Sequence, residues 1–105
     1  MLVTTTSTVD GKPVQEYLGI INAQSIIGAN IFKDIFAGLR DVFGGRSKTY
    51  EKVLEEAKED ALRELTQKAQ ALGANGILGV DLDFETVGSG SSMLMVIATG
   101  TAVRL

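Results

Sequence analysis

The chain has 105 residues, enough for one domain, and its 45% apolar and 22% charged content matches a globular fold and excludes disorder. A formal net charge of −3 argues against the concentrated basic surface that binding to a nucleic-acid backbone draws on, and disfavours anionic membranes for the same reason. Cysteine and histidine are both absent, which excludes disulfides, imidazole bases, thiolate nucleophiles and the ligands that select zinc, copper and other soft metals. The first residues, MLVTTTSTVDGKPVQEY, show neither a basic n-region nor an apolar run of signal-peptide length, so a cytoplasmic location is expected.

Residues 2–9 are rich in threonine and valine and predict a strand, which the turn signal DGKP at 10–13 would fold into a hairpin with a second strand over 14–27. Gly19 interrupts that second strand and predicts a bulge. The spacing that follows predicts a short helix from Asn30, its N-cap, to Phe43, with Gly44 after its last periodic residue. Ile31, Phe32, Ile35, Phe36 and Leu39 lie within an arc of about 140° on this helix, and charged residues occupy the other side.

A long helix over 47–72 follows, with Tyr50, Val53, Leu54, Ala57, Ala61, Leu62, Leu65, Ala69 and Leu72 at helical spacing and Gly73 as its stop. Glu59 with Arg63 and Glu64 with Lys68 stand in the favourable i,i+4 order. Residues 77–87 alternate: Leu78, Val80, Leu82 and Phe84 are expected on one face, Asp81, Asp83 and Glu85 on the other. The last strand, 93–103, is apolar on both faces through MLMVIA, which predicts a central position or a second buried surface. The order is β-β-α-α-β-β: an α+β domain over residues 1–105, with an antiparallel sheet packed by one short and one long helix.

One helix suffices to cover one sheet face. A second apolar helical stripe and a doubly apolar strand leave more apolar surface than a monomer normally exposes, which predicts self-association. Ile31, Phe32, Ile35, Phe36 and Leu39 are the expected oligomer interface, with Arg40 and Asp41 in charged pairs beside it. The alternative is a short helix folded back onto its own sheet.

Two constellations offer binding chemistry. Asp81, Asp83 and Glu85, spaced by two on a strand, place carboxylates about 7 Å apart on one face, suited to a hard cation such as calcium, magnesium or manganese if another strand or subunit helps. An acidic, outward-facing strand is the simpler reading of the same pattern. Gly45, Arg46 and Ser47 stand at a helix start, where backbone N–H groups and a guanidinium can hold a small anion. The same residues also serve as a plain corner, with Gly44 and Gly45 ending one helix and Ser47 capping the next. This is no P-loop, because Arg40 stands where the motif's first glycine belongs and Arg46 replaces its lysine. Gly88-Ser89-Gly90 lacks the third glycine and the following helix of a dinucleotide fingerprint. Met93 and Met95, two apart on one strand face, are thioethers of the kind that copper(I) accepts, although methionine more often fills a core. No catalytic residue and no cofactor is implied.

The segments EYLG (16–19), GANIFKDIFAGLRDVFGGRSKTYE (28–51), LGAN (72–75), GVDLDFE (79–85), MLMV (93–96) and GTAV (100–103) together resemble the YbjQ family, whose members carry a heavy-metal-binding label. The resemblance spans nearly the whole chain. It implies a small dodecin-like subunit assembled as a homopentameric ring, without an established enzymatic activity. The family signature falls on Gly28, Asn30, Asp34, Arg40, Asp41, Gly44, Gly45, Arg46, Ser47, Tyr50 and Glu51, and on Asp81, Asp83 and Glu85.

Overall fold

A computed structural model describes residues 1–28, 48–88 and 93–105, with the backbone alone for 48–50. The described elements are β1 (Leu2–Val3), β2 (Glu16–Ile27), α1 (Lys48–Ala71), β3 (Gly76–Val87) and β4 (Met93–Arg104). The expected short helix over 30–43 lies outside the described residues, as do Gly45, Arg46 and Ser47 and the expected interface residues Ile31, Phe32, Ile35, Phe36, Leu39, Arg40 and Asp41.

The long helix forms where its periodicity placed it, within a residue at each end. Ala57, Ala61, Leu65 and Ala69 repeat every fourth position and are all buried. Three alanines in this stripe let the helix axis approach the sheet closely, and Val53, Leu54 and Leu62 pack at the flanks. Leu72, expected in the stripe, is instead exposed because the chain turns away there. Gly73 N–H donates to the Gln70 carbonyl (3.0 Å) and Ala74 N–H to the Ala69 carbonyl (3.0 Å), the paired bonds of a Schellman end. Gly73 takes φ 83°, a conformation that costs a residue bearing Cβ. On the helix surface Arg63 pairs with Asp60 at 2.8 Å rather than with the expected Glu59, while Lys68 keeps Glu64 at 3.9 Å.

The sheet has the order β1-β3-β4-β2. β4 is central, one of the two placements that its apolar faces allowed, antiparallel to β3 on one side and to β2 on the other. The N-terminal hairpin does not form. β1 runs only from Leu2 to Val3 and pairs parallel with Gly76 and Ile77 of β3, so the sheet is mixed. The turn sits where DGKP placed it, closed by Lys12 N–H to the Val9 carbonyl at 3.1 Å, but it does not join paired strands. The reason lies in the hydroxyl run: Thr4 Oγ1 accepts from Thr6 N–H (3.1 Å) and Thr6 Oγ1 donates to the Thr8 carbonyl (2.7 Å). Such local side-chain bonds compete with a ladder.

The connection from Thr4 to Gln15 therefore starts at the β3 margin and ends against β4, where Gln15 N–H donates to the Arg104 carbonyl at 2.8 Å. Leu78 and Val103, on the face away from α1, are buried apart from the core under the helix.

Two irregularities set which residues share a face. The register of β2 slips between Tyr17 and Gly19, the bulge expected at that glycine. A second slip in β3, between Leu78 and Asp81, inserts one residue opposite Thr99–Thr101 of β4. Gly79 takes φ 61° at this point, as the first residue of a glycine bulge does. Leu78 therefore lies on the face opposite Val80, Leu82 and Phe84, against the uninterrupted alternation expected from sequence.

Candidate functional site: the open face of the sheet

α1 covers one face. Beneath it lie Ile21, Ala23 and Ile27 of β2, Leu94, Val96, Ala98 and Ala102 of β4, and Ile77 of β3, all buried. The opposite face carries no helix among the described residues. Its composition follows directly from the register: Asp81, Thr99 and Asn22 form one row across β3, β4 and β2, Asp83, Ile97 and Gln24 the next, and Glu85, Met95 and Ile26 a third. At one end Ile20 stands beside Thr101, and Tyr17 beside Val103.

This face is acidic along β3, apolar along β4 and mixed along β2. Ile20 is 81% exposed, Tyr17 72% and Ile26 57%, whereas Met93, Met95 and Ile97 are half-buried. Aliphatic side chains at such exposure gain about 1.5–3 kcal/mol each when something covers them fully.

The structure places Asp81, Asp83 and Glu85 together on this face, as their spacing predicted. A proton held between Asp81 and Asp83 would let the two carboxyls share a side-chain hydrogen bond. That bond is the first cause of the raised Asp83 pKa; the Asp81 charge, partial desolvation and the Glu85 charge push in the same direction. Among the described residues no Lys or Arg forms an ion pair with any of the three. The three carboxylates nevertheless do not close around a point. Among the described residues there is no group of three or more acidic side chains arranged to hold an ion.

The donor set also decides against a soft heavy metal. With no cysteine or histidine anywhere in the chain, what remains is carboxylate, carbonyl, hydroxyl and the thioethers of three methionines. Met93 and Met95 share the open face and Glu85 stands opposite Met95, but no further soft ligand joins them. The chain as described does not fit such an ion.

Elsewhere, a cleft of about 480 Å³ near the chain termini is lined by Met1, Lys12, Gln15, Asn75 and Leu105 among others. Asn75 spans Leu105 with both ends of its amide, Oδ1 accepting from Leu105 N–H at 2.7 Å and Nδ2 donating to its carbonyl at 3.2 Å. A shallower groove of about 380 Å³ runs between Val3, Leu62, Val80 and Leu82. It exists because α1 lies over β2 and β4 and only grazes β3. Among the described residues no helix is long and apolar enough to cross a membrane. The open face was half legible from sequence. The acidic row could be read from alternation, but Tyr17, Ile20 and Ile26 could not, because a strand apolar on both sides gives no sign of which side is covered.

A family model, YbjQ_1, described as "Putative heavy-metal-binding", matches residues 1–105. A UPF0145 protein from Caulobacter vibrioides (strain NA1000 / CB15N) is 57% identical over 105 residues, covering all of both chains. A crystal structure of a protein of unknown function in the DUF74 family, from Pediococcus pentosaceus ATCC 25745, superposes with a TM-score of 0.67 at 18% identity over 100% of this chain and 97% of that one. That last likeness concerns the fold alone.

Proposed function

The chain belongs to the YbjQ family, and on that premise we propose that it acts as a self-assembling cytoplasmic scaffold, a homopentameric ring whose copies cover one another's uncovered apolar surface. The observation that carries this reading is the open sheet face, where exposed Ile26 stands beside Met95 and Ile97 follows on β4, while Ile20 and Tyr17 are exposed toward the other end of β2. Scattered exposed aliphatics are ordinary, but several on one sheet face that no helix among the described residues covers are the pattern of an interaction surface. The pentamer and the dodecin-like subunit come from the family resemblance. Light scattering at micromolar concentration tests the reading, with a mass near five times the 11.1 kDa chain expected. A stable monomer overturns it.

A second reading follows from the unneutralised acidic row. Asp81, Asp83 and Glu85 repel one another, and a hard divalent cation would relieve that repulsion if a neighbouring copy supplied the missing oxygens. Calorimetric titration of the assembled protein with manganese tests this, beside an Asp83→Asn variant. Heat that the variant abolishes supports a cation site, and no heat leaves the scaffold alone.

A further inference from the structure

The outer margin of β3 is free of strand partners beyond Val80 among the described residues. β1 and the residues after it cover only the start of the strand, their last bonds being Gly79 N–H to the Thr6 carbonyl (2.9 Å) and Val80 N–H to the Thr4 carbonyl (3.0 Å). Val80 N–H thus points away from β4, and by strand alternation so do the N–H and carbonyl groups of Leu82 and Phe84. An edge with such groups unpaired is a template for another extended chain.

The two faces beside this margin differ in chemistry. Leu82 and Phe84 stand on the helix side, since their partners across the ladder, Ala98 and Val96, are buried beneath α1. There the groove of about 380 Å³ runs between Leu62 of α1 and Val80 and Leu82 of β3, and Phe84 is 50% exposed. On the open side Asp81, Asp83 and Glu85 follow one another opposite Thr99, Ile97 and Met95, with no ion pair among the described residues. A strand laid along the margin would therefore meet apolar side chains with one set of alternate residues and carboxylates with the other.

We propose that this margin binds an extended peptide segment of a partner protein in which apolar and basic residues alternate. Its backbone bonds to that of Leu82 and Phe84, its apolar side chains enter the groove between α1 and β3, and its lysines or arginines stand across from Asp81, Asp83 and Glu85 on the other face. Charge decides the occupant: opposite charges on neighbouring strands attract, whereas like charges directly opposite repel, so an acidic segment is turned away. The contact needs no second copy of this chain and so stands apart from the self-association reading above.

Fluorescence anisotropy with a short labelled peptide of alternating valine and lysine tests the site. This peptide should bind saturably, and its valine-glutamate counterpart at least about tenfold more weakly. Asp83→Lys and Glu85→Lys change exposed side chains; each should shrink that ratio, and the two together should reverse it. If the double variant loses its circular dichroism, the shrinking seen with either single variant decides. Hydrogen exchange on the same complex should show the Leu82 and Phe84 amides protected only when the valine-lysine peptide is present. Failure of that peptide to bind, equal binding of both peptides, or a preference that charge reversal leaves untouched overturns the proposal. So does protection of both amides without peptide, which would mean that another copy or another part of the same chain occupies the margin. Light scattering reads self-association separately: a monomer that binds the peptide supports this site while overturning the ring.

Discussion

The two faces of the same three long strands make an instructive pair. On the helix side, Leu94, Val96, Ala98 and Ala102 of β4 are buried, and small residues on both partners bring α1 close. On the open side, Met93, Met95, Ile97 and Thr99 of the same strand are half-buried, flanked by exposed Ile26 and by carboxylates. Side-chain chemistry is similar along β4 on both sides. What differs among the described residues is whether a second layer covers them, and hence how much a given aliphatic contributes to folding.

The largest test of that contrast is Leu65→Ala. Leu65 is fully buried at the centre of the α1 stripe, with alanines before and after it that cannot fill the space. The expected loss is about 2–5 kcal/mol of folding stability, measured by urea denaturation. A loss below about 1 kcal/mol would mean that the helix-covered face is less tightly packed than its burial indicates.

A smaller loss is expected from adding a group to the same face. A Cβ at Gly100 would meet Ile77 Cγ2 at 2.6 Å, with the Leu78 carbonyl and Val80 Cγ2 each at 3.3 Å. The strands approach too closely there for any side chain. Gly100→Ala should cost about 1–3 kcal/mol by overpacking, read from the same denaturation curves. An unchanged midpoint would show that β3 can shift at its bulge to make room.

The open face should respond in the opposite way. Ile26→Asp places a charge where the subunit already faces water, so folding is expected to change by no more than about 0.5 kcal/mol. Association should weaken instead, seen as a lower mass in light scattering with an unchanged helical signal. If the variant unfolds, the open face is covered within the single chain and the contrast between the two faces disappears.

Periodicity carried much of this architecture. α1, β2, β3 and β4 stand within two residues of their expected bounds, since long apolar repeats and glycine stops act locally. The N-terminus was misread because residues 4–8 have the composition of a strand but bond their hydroxyls to nearby backbone, leaving Leu2 and Val3 to pair with a strand more than seventy positions away. No local pattern encodes a parallel pairing of that range. Leu78 was assigned to the wrong face for a related reason: one residue inserted at Gly79 reverses the alternation before it. The acidic row survived because it lies wholly beyond the bulge.

The smallest expected effect concerns that row, and its sign is the informative part. The Asp83 pKa is raised above 3.8 in the folded chain, so the folded state holds its proton more firmly than the unfolded state does. Stability therefore falls as pH rises from the unfolded carboxylate value through the raised folded one, and the repulsion among Asp81, Asp83 and Glu85 persists at neutral pH. Asp83→Asn removes that repulsion while keeping a hydrogen-bonding group beside Asp81. Its melting temperature should exceed that of the unaltered chain slightly at pH 7, and the gap should close in acid, where the carboxyl is protonated anyway. Added salt should shrink the gap at pH 7, because the three carboxylates are exposed and their repulsion is screened. A variant less stable than the unaltered chain at pH 7 would reveal a cation already neutralising the row, brought by a neighbouring copy or bound from solution.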